Sequence, residues 1–193
     1  MEYSRIAPIM GRLWSPIAAV TSHWQGKSNA QIAVAIAAAS IVPDMPRVLL
    51  QIYKTNYSHD LIYNSGCFAL NFLRQDQLEL INDFGLVSGR DRDKLLGVAH
   101  APRATGSPVL DDCWGFLDCR VVNAMDGGDM TCFLGDVLDG ETLSQAEPLY
   151  WRDARREIPA AWNEEWDRKI SGEIEVSKRR MPNLDFKPWQ PKG

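Results

Sequence analysis

Between Leu49 and Leu73 the sequence reads LLQIYKTNYSHDLIYNSGCFALNFL. Two apolar stretches flank a polar loop, Lys54-Thr55-Asn56-Tyr57-Ser58-His59. That loop sets an ammonium, hydroxyls and an amide at the start of a short helix. The first N–H groups of a helix have no intrahelical partner, and the helix dipole is positive there. Such a place attracts a phosphate. A plainer reading is also open: Asn56 or Ser58 caps the helix, and Lys54 is a solvated strand-end charge.

A second stretch invites chemistry by lacking bulk. From Asn29 to Ser40 the chain reads NAQIAVAIAAAS, with alanine at 30, 33, 35, 37, 38 and 39. Small residues in a strand let a flat ligand approach the backbone, or let a neighbouring element pack tightly. Asp93-Lys94 is a third polar pair, and an exposed ion pair of this kind is worth little to stability. No Ser/His/Asp arrangement, paired-carboxylate signature or metal-ligand spacing stands out. The four cysteines, at 67, 113, 119 and 132, form no C-x-x-C pair. They read as small buried residues with free thiols, suited to a reducing cytoplasm.

The whole chain narrows the classes. Its 193 residues fit one domain, or one domain with an extension. The net charge of −4 gives no electrostatic footprint for nucleic acid. The most apolar run, Ile32 to Val42, is about half a bilayer span, so no membrane segment is expected. MEYSRIAPIMGRLW carries no basic region followed by an apolar core, so no secretory signal is expected.

Periodicity and breakers give the elements that must position these residues. A short helix is expected within residues 1–15. A strand from Pro16 to Trp24, a turn at Gln25-Gly26-Lys27-Ser28 and a long strand from Asn29 to about Ser40 form a hairpin. Pro43 and Pro46 mark a crossover loop. Arg47–Tyr53 and Cys67–Leu73 read as strands around a helix over Tyr57–Asn64, ended by Gly66. Gln75–Val87 reads as a helix on the spacing of Leu78, Ile81 and Phe84. Residues 97–108 read as loop. Cys113–Met125 and Met130–Leu138 form a hairpin about Asp126-Gly127-Gly128-Asp129. Glu147–Trp151 reads as a short edge strand. Trp162, Trp166 and Ile170 mark one face of a helix over Pro159–Ile170, aimed at the barrel or at a partner subunit. The Pro-rich end from Met181 reads as extended. The sum is a mainly β protein with flanking helices, in which short turns favour an antiparallel barrel.

The order of these features resembles the flavin reductase-like family over roughly residues 8–152. The resemblance rests on Ile17–Ser22, on Asn29-Ala30-Gln31-Ile32 with Ser40 and Pro43-Asp44-Met45-Pro46, and on Lys54–Ser58 with Leu61-Ile62. Phe68–Asn71, Asp93-Lys94-Leu95, Gly128-Asp129-x-Thr131 and Gly135-Asp136-Val137 complete it. It implies an FMN-binding split β-barrel of Greek-key antiparallel strands over residues 1–152, with 153–193 as a C-terminal helical extension and tail. It implies a homodimer with FMN at the subunit interface, and hydride transfer to flavin from NADH or NADPH. It also implies a partner, an oxygenase or an electron-transfer protein. Carried over by position, Asn29, Ala30, Gln31 and Ile32 would lie along the flavin ring or ribityl chain. Lys54, Thr55, Asn56 and Ser58 would meet the phosphate, with Lys94 a further contact. Catalytic residues remain unassigned, because the hydride step needs no acid, base or nucleophile. Many relatives carry His where this chain has Met130, and a thioether cannot carry charge. His59 and His23 are the imidazoles considered as substitutes. Met130 therefore leaves a second reading open: an FMN electron carrier not reduced directly by nicotinamide.

Overall fold

The computed structural model describes residues 2–190 and 192. A 3-10 turn (Tyr3–Arg5) and a one-turn helix, α1 (Ala7–Met10), precede the hairpin of β1 (Ala18–Trp24) and β2 (Lys27–Ala33). Then come β3 (Ile36–Ala38), β4 (Arg47–Tyr53), α2 (Tyr57–Ser65) and β5 (Cys67–Phe72). A three-residue helix, α3 (Glu79–Ile81), runs into a π-helical turn (Asn82–Leu86). A small hairpin, β6 (His100–Pro102) with β7 (Pro108–Leu110), is followed by the long strands β8 (Gly115–Asp126) and β9 (Met130–Thr142). Helices α4 (Trp151–Glu157) and α5 (Ala160–Arg180) come last.

Seven strands form one antiparallel sheet in the order β2-β1-β5-β8-β9-β4-β3. Its two edges, β2 and β3, are consecutive in the chain, with Val34 and Ala35 between them. At about 3.3 Å per residue, so short a link joins the edges only if the sheet curls until they meet. Register shifts in the β8–β9 ladder, at Asp118/Cys119 and Val121/Asn123, supply part of that curvature. This is the half-open barrel expected from the sequence. Alternation along the strands gives two cores. Val20, Leu50, Ile52, Phe68, Leu70 and Phe133 fill the inside. Ala19, Ala30, Ala69, Phe84 and Leu95 face outward, under the segments that wrap the barrel.

Several sequence expectations change. The β1–β2 turn is two residues, Gln25 (φ 48°) and Gly26 (φ 73°), the primed geometry that matches strand twist. The long strand from Asn29 breaks at Val34-Ala35, because its second part pairs with β4 instead of β1. The helix over Gln75–Val87 shrinks to α3 and the π turn, where Asn82, Asp83 and Gly85 are poor helix formers. Residues 97–108 hold β6 and β7, fastened to the sheet by Asn71, whose Oδ1 accepts from the Leu110 N–H at 2.8 Å. Cys113 lies in the bend before β8, not in a strand. Pro148 and Tyr150 make isolated bridges, and Trp151 starts α4. Helix α5 runs ten residues past Ile170, and its Trp162 and Trp166 pack on the chain's own outer core. Among the described residues no helix is long and apolar enough to cross a membrane.

Phe68 is wholly buried, and a Cβ at Gly135 would press on its ring. We expect Phe68→Ala to cost about 3–5 kcal/mol, read as a fall in the urea midpoint. Leu96 is 82% exposed, and Leu96→Ser should stay within about 0.5 kcal/mol of the parent.

Candidate functional site

Strand β2 is an edge strand, so one side of its backbone lacks a strand partner. The segment from Phe84 to Lys94 covers that side. Gly89 lets it come close, since a Cβ there would collide with the Asn29 amide; Gly85 leaves room on its outer side for the Trp166 ring. Lys94 fastens the cover, its Nζ donating to Ala30 O at 3.0 Å and to Phe84 O at 2.7 Å. Between strand and cover lies a cavity of about 390 Å³. Its polar end holds Asn29, Thr55, Asn56, Ser88 and Arg90; Ile32, Gly85 and Trp166 line another part.

The polar end is built around the start of α2. Asn56 is the N-cap residue, yet its side chain makes no capping bond. Ser58 does not cap either: it is fully buried, and its Oγ accepts from Asn29 Nδ2 at 2.8 Å. The capping alternative therefore fails, and first-turn N–H groups of α2 stay without a side-chain cap. Arg90 spans the loop, donating to Thr55 O at 3.1 Å and to Asp60 Oδ2 at 2.7 Å, with its guanidinium 5.2 Å from the Tyr57 ring centre. Among the described residues, two buried polar atoms of the lining have no hydrogen-bond partner: Asn29 Oδ1 and Thr55 Oγ1. A buried polar atom left unpaired costs free energy that a ligand or water can return.

Residues 10–159 match the family model described as the flavin reductase like domain. The chain belongs to the flavin reductase-like family. The NAD(P)H ferric-chelate reductase of Archaeoglobus fulgidus is 31% identical over 136 residues, covering 69% of this chain and 79% of that protein. The reductase subunit HsaB of a flavin-dependent monooxygenase from Rhodococcus jostii is 27% identical over 168 residues, covering 83% and 84%. The structure of the flavin reductase PheA2 superposes with a TM-score of 0.64 at 26% identity, covering 77% of this chain and 92% of that one. The chain spans only 61% of a 30%-identical rubredoxin from Moorella thermoacetica and 25% of a diflavin flavoprotein from Nostoc, also 30% identical.

This family binds flavin, and the residues present fit one. The two unpartnered atoms, the uncapped helix start and the Arg90 guanidinium suit a phosphate and its attached chain. Of the residues expected to make such a site, the structure brings Asn29, Gln31, Ile32, Thr55, Asn56 and Lys94 together on one cavity. Three expectations change. The Ala30 side chain faces the outer core, and only its carbonyl is used, by Lys94. Ser58 lies behind Asn29 and holds it, outside the lining. Lys54 is committed elsewhere, its Nζ 2.6 Å from Asp126 Oδ1. Tyr53 and Thr55 on either side of it line the cavity, and Lys54 between them does not. Neither His23 nor His59 lines the cavity. His59 Nε2 instead meets Thr131 Oγ1 at 2.8 Å.

Sequence reasoning missed Ser88, Gly89 and Arg90, which follow the helix expected over Gln75–Val87. It also missed Trp166, Lys169 and Glu173, read as an extension. The paired glycines, Gly85 and Gly89, were the available signal for the first group.

Burial, with Lys169 and Arg92 nearby, pushes the Lys94 ammonium down to about 7 from its ordinary 10.5. Between those values the unfolded chain binds more protons than the folded one, so stability rises with pH across that window. Below about 7 both states are protonated, and the cost of the buried charge is present in full. We expect Lys94→Met to remove this rise. Urea midpoints measured from about pH 6 to about pH 10 test it; a variant with the parent's slope would contradict it.

Proposed function

We propose that this chain is an NAD(P)H-dependent flavin reductase that binds FMN between β2 and residues 84–91. The observation carrying the reading is the pair of buried, unpartnered atoms, Asn29 Oδ1 and Thr55 Oγ1, lining a cavity in a chain of this family. The names of the two reductase relatives support the activity. By likeness to HsaB, a monooxygenase reductase subunit, the chain supplies reduced flavin or electrons to an oxygenase partner. Its four free cysteines suit the cytoplasm.

When bound, the flavin supplies the two-electron chemistry. The chain's task is to bind and orient. The Thr55 hydroxyl can donate to a phosphate oxygen, and the Asn29 carbonyl oxygen can accept from the ligand. Arg90 adds charge at the same end and is itself held by Asp60. A mononucleotide suits a cavity with a single end of this kind. A homodimer is supported by the resemblance and by the exposed Ile41, Val42 and Met45 of the crossover loop. The Trp162/Trp166 face no longer argues for it, since that face packs within the chain.

The flavin spectrum of the purified protein should bleach on anaerobic mixing with NADH or NADPH. No bleaching with either would overturn the reductase reading. Met130 favours a second reading, an FMN electron carrier, because no side chain of the closing hairpin replaces the imidazole many relatives carry there. That reading predicts bound FMN that both nicotinamides reduce slowly and a protein donor reduces fast.

Charge-assisted bonds contribute about 1.5–3 kcal/mol each. Arg90→Ala with Thr55→Ala should therefore weaken FMN binding at least about tenfold, while leaving riboflavin, which lacks the phosphate, nearly unchanged. Equal losses for both ligands, read by fluorescence titration, would place the phosphate elsewhere. Sedimentation as a monomer would contradict the dimer.

A further inference from the structure

Helix α5 begins just beyond the residues that match the family, 10–159, yet it forms part of the cavity wall. Trp166, Lys169, Ile170 and Glu173 line it, spaced three, four and seven residues along one helical face. The face is fixed in place. The Trp166 ring lies 4.4 Å, centre to centre, from Trp151 and rests where a side chain at Gly85 would sit. Lys169 Nζ donates to the Gly85 carbonyl.

The cavity has a direction. Strand β2 and its cover run side by side: Asn29 meets Gly89, Lys94 joins Ala30 to Phe84, and Ile32 lies against Gly85. Asn29 and Ile32 are three residues apart, about 10 Å along a strand. The anion-attracting groups Thr55, Asn56 and Arg90 gather with Asn29 at one end. Lys169 and Trp166 stand with Ile32 and Gly85 at the other. A flavin whose phosphate takes the first end brings its ring system towards the second. The hydrogen-bond partner of the Lys169 ammonium there is a neutral carbonyl, and Glu173 and, more weakly, Glu165 act on it through space.

We propose that Lys169 favours the reduced flavin, its ammonium offsetting the negative charge that the ring gains on reduction. This rests on the flavin reading above. Two electrons and one proton turn the neutral oxidised ring into an anion, so one net negative charge appears in the cavity. In a half-dry site a fixed ammonium acts on that charge more strongly than it would in water. Glu173 works against it from the next turn of the same face.

The test is a dithionite titration of bound flavin against a reference dye, on the full chain, with FMN and with riboflavin. Lys169→Met should weaken reduced flavin about tenfold more than oxidised flavin, which is a midpoint about 30 mV lower for a two-electron couple. Lys169→Arg should keep the parent potential, and Glu173→Gln should raise it. The shifts should be alike for FMN and riboflavin. An unchanged potential in Lys169→Met would overturn the proposal. So would a shift that Lys169→Arg does not restore, which would mark a packing effect. A shift seen with FMN but not riboflavin would overturn it too, by placing the ammonium at the phosphate. A wild-type protein that binds neither ligand would overturn the flavin reading itself.

Discussion

Val34 and Ala35 carry the chain from one edge of a seven-stranded sheet to the other. That short link is the constraint on which the rest of the molecule depends. A flat or gently twisted sheet would hold its outer strands several strand spacings of roughly 4.8 Å apart. The link therefore forces closure, and β2 and β3 become the two lips of a seam. Backbone bonds hold the seam at the link itself, Ser15 N–H to Val34 O at 2.9 Å and Gln51 N–H to Ala35 O at 3.0 Å.

Closure creates the site by leaving a strand edge to be covered. An edge strand presents N–H and C=O groups that must find partners. Along β2 one partner is a side chain: Lys94 reaches under the cover and satisfies the Ala30 carbonyl together with Phe84 O. The π turn at Asn82–Leu86 puts Phe84 into the outer core and turns Gly85 towards α5. Gly85 and Gly89 permit an approach that no side chain would allow. The cavity is the space this cover leaves. A distortion of the helical ladder at such a place is common where helices meet functional sites.

Much of this architecture was legible in the sequence because local signals agreed. Alternation, turn residues and the Pro43/Pro46 break located the long strands and the antiparallel class. The polar loop at 54–59 was correctly placed at a helix start. What was not legible depended on partners distant in the chain. Lys54 looked available for a phosphate because Asp126, its partner, lies 72 residues away. Ser58 looked like a ligand or a cap, while its position behind Asn29 depends on the β1–β2 register. The break at Val34-Ala35 left no mark in a sequence equally suited to strand on both sides. Helix α5 was found, but its apolar face alone could not say whether it met the barrel or another subunit. Trp151, read as the end of a strand, turned out to be the residue on which Trp166 packs.

The charges of the cavity complete the argument. Arg90 is paired with Asp60, so its charge is partly answered within the protein. Among the described residues Lys94 and Lys169 donate to backbone carbonyls, and the proton affinity of each is lowered chiefly because it is withdrawn from water. Burying two ammonium groups on one cavity is unfavourable for the empty protein, since each opposes the charge of the other. Glu173 offsets this in part, but burial raises the pKa of its own carboxyl, which weakens that help. A site arranged in this way gains from an anionic ligand what it lacks internally. The same lysines hold the cover in place, Lys94 through Phe84 and Lys169 through Gly85. The groups that close the cavity are therefore also groups that make it attract negative charge.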